Sequence, residues 1–207
     1  MKNRALVLFV WVFSLIACCI EVDISAPSFP AISDYFQTTD GMVQLTIALN
    51  FLSFFVASIV YGPWSDAKGR RPVMLIGNAI MLIGALGCVF AQSMEMLLIS
   101  RLIQGLGAAT SAVLVTAMIF DVYQGEKAAT YIGIMNACLT SLMAIAPVLG
   151  SFILDWIGWR GNYSVVAWVT LMAWLLILLW LPETKKDLKP IPFKQIKRDF
   201  GKLLKDA

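Results

Sequence analysis

Apolar residues in this chain fall into six long runs, separated by short stretches of polar, charged, Gly and Pro residues. A helix rises about 1.5 Å per residue, so crossing a hydrocarbon core takes roughly 20 mostly apolar positions. Six runs come within range of that length: about Ala5 to Pro27, Val43 to Tyr61, Pro72 to Phe90, Met96 to Phe120, Ala128 to about Leu154, and Ser164 to Leu181. The pattern predicts an all-α membrane protein, a six-transmembrane-helix bundle occupying residues 1–184. The connecting stretches are short, so consecutive helices should be neighbours. After Leu181 the pattern changes. Pro182, Pro190 and Pro192 interrupt the chain and basic residues accumulate through 185–207. Phe193, Ile196, Phe200, Leu203 and Leu204 then recur at helical spacing, which suits a basic amphipathic helix lying on a membrane surface. A plain linker is the alternative for this segment.

Composition supports the membrane assignment. Hydrophobic residues make up 59% of the 207 positions and charged ones only 14%, with mean hydropathy +0.79. Soluble domains carry about 25% charged residues; a chain this apolar needs lipid as its solvent. The net charge of +3 is small, but its placement orients the bundle. With the N-terminus inside, Lys2, Arg4, Lys68, Arg70, Arg71, Lys127 and the basic residues after Leu181 all fall on one side. Only Arg160 lies in an outer connection, beside acidic or polar outer residues such as Asp34, Asp40 and Glu95, and Arg101 lies within a span. Cytoplasmic loops concentrate Lys and Arg. Both termini are therefore expected in the cytoplasm, with the chain in a bacterial inner membrane.

Other classes fit poorly. The opening Met-Lys-Asn-Arg and apolar run resemble a signal peptide, but the run is too long and no cleavage site follows. No basic face suggests nucleic acid. Histidine is absent, and Cys18, Cys19, Cys88 and Cys138 sit inside apolar runs without metal-ligand spacing. They read as small hydrophobes. No nucleophile motif or metal cluster points to an enzyme, no metal is expected, and no cofactor is called for.

Four stretches carry candidate chemistry. The connection Gly62-Pro-Trp-Ser-Asp66-Ala-Lys68-Gly69-Arg70-Arg71-Pro72 reads as a tight turn between the second and third spans. Gly62 would let two helices approach, Gly69 would supply positive φ, and Asp66 could pair with Arg70 across the turn. The fourth span contains Arg101-Leu-Ile-Gln104-Gly105-Leu-Gly107-Ala-Ala. A charge at the centre of a span costs about 2.5–3.5 kcal/mol on insertion scales, so Arg101 needs a partner or a polar cavity. It lies about 8–9 Å inside the outer end at 1.5 Å per residue, and snorkelling outward is the alternative. Gly105 and Gly107 suit close helix packing. The first span ends with Glu21 and Asp23, about 200° apart around a helix at 3.6 residues per turn. Burial favours the protonated carboxyl, which makes either acid a candidate proton carrier and a counter-charge for a cationic substrate; solvation at the outer interface is the alternative. In the fifth span, Pro147 removes a backbone donor and can kink the helix.

These motifs resemble the major facilitator superfamily. The Gly62–Arg71 stretch is similar to its G-x-x-x-D-x-x-G-R-R/K loop, with Gly62, Asp66, Gly69, Arg70 and Arg71 all matching. The resemblance implies a cytoplasmic gate in which an acid at the inner end of the fourth span takes part, and Asp121 stands at that place. Arg101 to Ala109 resembles the family's R-x-x-Q-G-x-G-A-A string, whose Arg is tied to proton transfer, with Gln104 beside it. Asp23, Pro27 and Pro30 resemble the first span of the Bcr/CflA group of drug-resistance transporters, which favours Asp23. Pro147 and Gly150 keep part of the antiporter signature G-x-x-x-G-P-x-x-G-G, while Leu142, Ala146 and Ser151 replace its glycines. The resemblance implies the N-terminal half of a proton-coupled drug or small-molecule exporter working by antiport, with the proton gradient as energy source. The expected partners are the lipid bilayer, a cationic or amphipathic small-molecule substrate, and a second six-helix half, in the same chain continued or in another chain. Transport of another solute, such as a siderophore, sugar or metabolite, or a non-transporting membrane scaffold, is the competing implication, because a fold does not fix a function.

Overall fold

A computed structural model of the chain describes residues 4–185. The surface helix expected around Phe193 to Leu204 lies outside the described residues. The chain forms α1 (Arg4–Asp23), a 3₁₀ turn (Ala26–Ser28), α2 (Phe29–Phe36), α3 (Asp40–Lys68), α4 (Arg70–Val89), α5 (Met94–Val122), α6 (Glu126–Ile157) and α7 (Trp159–Trp180). Among the described residues, six helical stretches are long and apolar enough to cross a membrane, with α1 and α2 counted as one from Leu6 to Phe36.

The helix ends follow local chemistry. Ser93 and Thr39 accept the backbone N–H three residues on, at 3.2 and 3.4 Å, and so cap α5 and α3. Gly69, Gly125 and Gly158 take positive φ of 97°, 58° and 85° between helices. The first span departs from expectation. It does not stop at Pro27 and give way to a loop; it turns through the 3₁₀ segment and continues as α2, with Asp34 on that short helix. Pro27 and Pro30 each occupy the first turn of their helix, where the missing N–H has no intrahelical partner to lose.

The connection from Gly62 to Pro72 also differs from the turn expected. Helix α3 continues through Pro63 to Lys68, and Gly69 alone separates it from α4. A side chain added at Gly62 would meet nothing within 4 Å, so this glycine mediates no close approach here.

Helix α5 is the hub, packed most extensively against α4 and α3 and also touching α1 and α6. Lipid offers no hydrophobic drive between helices, so small residues that bring backbones together matter most. A methyl at Gly105 would collide with the Asn50 carbonyl of α3, and one at Gly107 with the backbone of Gly77 and Met81 in α4. The expectation of close packing holds at both. One apolar core gathers Trp11, Tyr61, Met74, Leu114, Met118 and Ile177 towards the Gly69 end. There Trp11 Nε1–H points at Met118 Sδ, 3.1 Å away. Another gathers Ile32, Leu97, Trp159 and Tyr163 at the opposite end.

Candidate functional site

Where α1 breaks, the backbone leaves its own hydrogen-bond ladder and Ser25 takes over part of it. Ser25 Oγ donates to the carbonyls of Glu21 and Val22, 2.9 Å from each. The same oxygen accepts from Arg101 Nη2 at 3.0 Å. Arg101 is fully buried at 0% exposure, so it does not snorkel to the outer interface. Its Nη1 donates to Gln104 Oε1 at 3.1 Å, one turn along α5. Its guanidinium carbon stands 5.2 Å from the centre of the Tyr163 ring of α7, within cation–π range. Asn50 of α3 donates to the Arg101 carbonyl at 3.2 Å, and Cys88 Sγ lies 3.6 Å from Gln104 Oε1. Four helices and the break after α1 thus meet around one cation.

Glu21 belongs to this cluster. It is 2% exposed. It makes no direct ion pair with Arg101, and its Oε2 has no hydrogen-bond partner among the described residues; Arg101 Nε and Gln104 Nε2 share that condition. A buried unpaired polar atom costs about 1–3 kcal/mol, and more if charged. Ionisable groups buried within a span are candidates for a functional site. Asp23, on the other side of the same helix, is only partly buried, although its Oδ2 is enclosed and unpartnered. The structure therefore brings Glu21, Arg101 and Gln104 together and leaves Asp23 at the margin.

Ser25, Asn50 and Tyr163 were not singled out in the sequence. Asn50 had a readable signal, being an amide in the middle of an apolar run. Ser25 and Tyr163 had none, because a hydroxyl one turn from a helix break and an aromatic near a helix end are ordinary features.

The Gly69 end carries a second polar cluster. Arg70, the first residue of α4, is held by Asp66 near the end of α3 at 2.8 Å, and by Asp121 at 2.9 Å at the end of α5. Its other Nη donates to Ser65 Oγ. Asp66, Arg70 and Asp121 are thus assembled as the motif implied. The sequence did not reveal the part played by the segment after α7. Glu183 accepts the backbone N–H groups of Arg70 at 2.9 Å and Arg71 at 3.1 Å. Gly69 supplies no capping side chain, and a carboxylate from over a hundred residues away does the capping, in a position the helix dipole favours. Lys185 Nζ adds an ion pair to Asp66 at 2.9 Å. Arg71 turns outward and donates to the Leu178 carbonyl at 2.8 Å.

Pro147 lies inside α6, which stays helical across it. Gly150 sits against the break in α1, where an added Cβ would strike the Ile24 carbonyl. Asn162 of α7, fully buried, ties the same junction by donating to Ser28 Oγ at 2.7 Å and to the Gly150 carbonyl at 3.1 Å.

Among the described residues, six membrane-length helical stretches enclose Arg101 and Glu21 and carry an ionic cluster at the Gly69 end. The sequence profile of the Major Facilitator Superfamily matches residues 11–206, and the chain belongs to that family of transporters, not to an enzyme family. It is 30% identical over 182 residues to a chloramphenicol resistance protein of Pseudomonas aeruginosa, covering 87% of this chain and 43% of that relative. It is 27% identical over 159 residues to multidrug resistance protein D of Escherichia coli (strain K12), covering 75% and 40%. The chain thus spans less than half the length of these relatives, corresponding to the N-terminal half of the fold. Among solved structures, the human organic anion transporter MFSD10 (TETRAN) superposes with a TM-score of 0.73 at 19% identity, over 89% of this chain and 49% of that one. A peptide transporter POT in complex with sulfate gives 0.75 at 13%, over 96% and 44%. At such identities these likenesses bear on the fold alone.

Proposed function

We propose that this chain forms the N-terminal half of a proton-coupled exporter of small cationic or amphipathic molecules, working by antiport and alternating access. The observation that carries this reading is the sequestration of Arg101 at 0% exposure beside a buried Glu21 with an unpartnered carboxyl oxygen. A carboxyl that is costly to charge where it sits, next to a fixed cation, is suited to take and release a proton as its surroundings change. The sequence resemblance favours Asp23 as the carrier; burial favours Glu21, and we assign the proton to Glu21. Asp23, less enclosed, is left to meet a cationic substrate. Gln104 orients Arg101. Asp66, Arg70, Arg71 and Asp121, around Gly69, act as the cytoplasmic gate.

The working unit includes a second six-helix half. Helix α6 has only 11% of its apolar window buried and α3 has 28%. The exposed surface of α6 includes Asn136, Thr140 and Ser141, polar groups better matched to a protein neighbour than to lipid. The chain resides in a bacterial inner membrane with both termini in the cytoplasm, and the proton gradient is the energy source, without a cofactor.

The test is substrate-driven proton release from vesicles containing the complete transporter, with candidate cationic drugs. Glu21→Gln is expected to abolish release while leaving substrate binding measurable, and Asp23→Asn to weaken substrate binding. Normal release from both Glu21→Gln and Arg101→Ala would end the proposal.

A further inference from the structure

Two cysteines on α1 remain outside the transport reading. Cys18 and Cys19 are adjacent, and their sulfurs lie 3.9 Å apart. Cys18 is 7% exposed and packs with Met81 of α4 and Ala108 of α5; Cys19, half-buried, packs against the same cluster, as do Phe54 and Ala112. Neighbouring α-carbons sit about 3.8 Å apart across a trans peptide, short of the roughly 4.4 Å that a relaxed disulfide needs. The helix thus keeps the two thiols reduced and side by side. It prevents them from bonding to each other but leaves both free to bond to one larger thiophilic atom. Cys88 is hydrogen-bonded to Gln104 and Cys138 is exposed on α6.

We propose that Cys18 and Cys19 form a two-thiol site for trivalent organoarsenicals, placed on α1 just before Glu21. The site stands independently of the transport reading. A hydrated arsenoxide, R–As(OH)₂, meets the more open Cys19 first. One As–O bond breaks as one As–S bond forms, and the thiol proton leaves with the hydroxide as water. Cys18 then displaces the second hydroxide in the same way. The product is R–As(SR)₂ with two waters released, and arsenic stays trivalent throughout. The second bond is intramolecular, so its effective concentration greatly exceeds that of any thiol in solution. The ring closes by rotation of two Cβ–S arms already on the same side of the helix.

Phenylarsine oxide, added to the full chain in detergent and read by intact mass, tests this. One phenylarsine per chain is expected, resistant to excess glutathione and released by 2,3-dimercaptopropanol. Cys19→Ser and Cys18→Ala are each expected to leave a one-thiol adduct that glutathione removes on the order of 100-fold faster, the loss of an intramolecular second bond. Making both variants keeps the comparison if one fails to fold. The Cys88→Ser/Cys138→Ser double variant should retain the resistant adduct. A wild-type adduct that glutathione strips as fast as it does from Cys19→Ser would overturn the proposal, as would a resistant adduct surviving in either single variant.

Discussion

Gly62 and Gly69 both belong to one sequence motif, yet the structure gives them opposite roles, and substituting each by alanine separates them. Gly69 has φ 97° and ψ 153°, a region essentially closed to residues with a Cβ, where strain is about 1–3 kcal/mol. The added methyl would also press into the Glu183 carboxylate, which caps α4 through the N–H groups of Arg70 and Arg71. Losing a helix cap costs about 0.5–2 kcal/mol. Together Gly69→Ala should destabilise by about 2–5 kcal/mol. For a chain of this size each kcal/mol moves the melting midpoint by about 2–4 °C, so a fall of roughly 10 °C is expected. At Gly62 the backbone is helical and nothing lies within 4 Å of an added Cβ. Gly62→Ala should therefore be neutral or gain a few tenths of the roughly 1 kcal/mol by which Ala exceeds Gly in a helix. The assay is thermal unfolding in one detergent at one scan rate, with helical signal as readout. Glu183→Gln supplies an internal check: in the double variant with Gly69→Ala, the losses should fall short of additivity, because both act on the same cap. Equal midpoints for the two glycine variants would refute the reasoning, and so would full additivity.

Two further outcomes follow from the packing. Asn162→Ala removes the hydrogen bonds to Ser28 and the Gly150 carbonyl, and should cost about 1–3 kcal/mol; an unchanged midpoint in the same thermal scan would mean that the α1–α6–α7 junction does not depend on them. Gly107→Val places a branched side chain against the backbone of Gly77 and Met81, an overpacking that should cost 1–3 kcal/mol or more (about 5 °C or beyond). Gly133→Val on α6, where nothing lies within 4 Å, should be neutral or slightly stabilising, because Val is the better helix former, and equal losses at the two sites would contradict the packing described.

Much of this architecture is local chemistry written along the chain. Six apolar runs fix six spans because lipid leaves an isolated backbone no other way to satisfy its hydrogen bonds. The pairing of Asp66 with Arg70 was readable because the two lie only four residues apart, on either side of Gly69. Positive φ at Gly69 was readable because glycine alone takes it without strain. Arg101 was legible as a problem, since a guanidinium in a span demands compensation. What compensates it was not legible: Ser25 lies 76 residues away in the break after α1, Asn50 51 residues away on α3, and Tyr163 comes from α7. Nor could spacing choose between Glu21 and Asp23, which are polar neighbours on one helix until packing buries the first and leaves the second at the margin. Glu183 is a similar case, an unremarkable acid after the last span until the fold brings it to the uncapped start of α4. Periodicity and residue type settle which segments enter the membrane, because those depend on each segment's own exchange with lipid. Only the tertiary arrangement decides which buried charges share a site, because that depends on contacts between helices far apart in the chain.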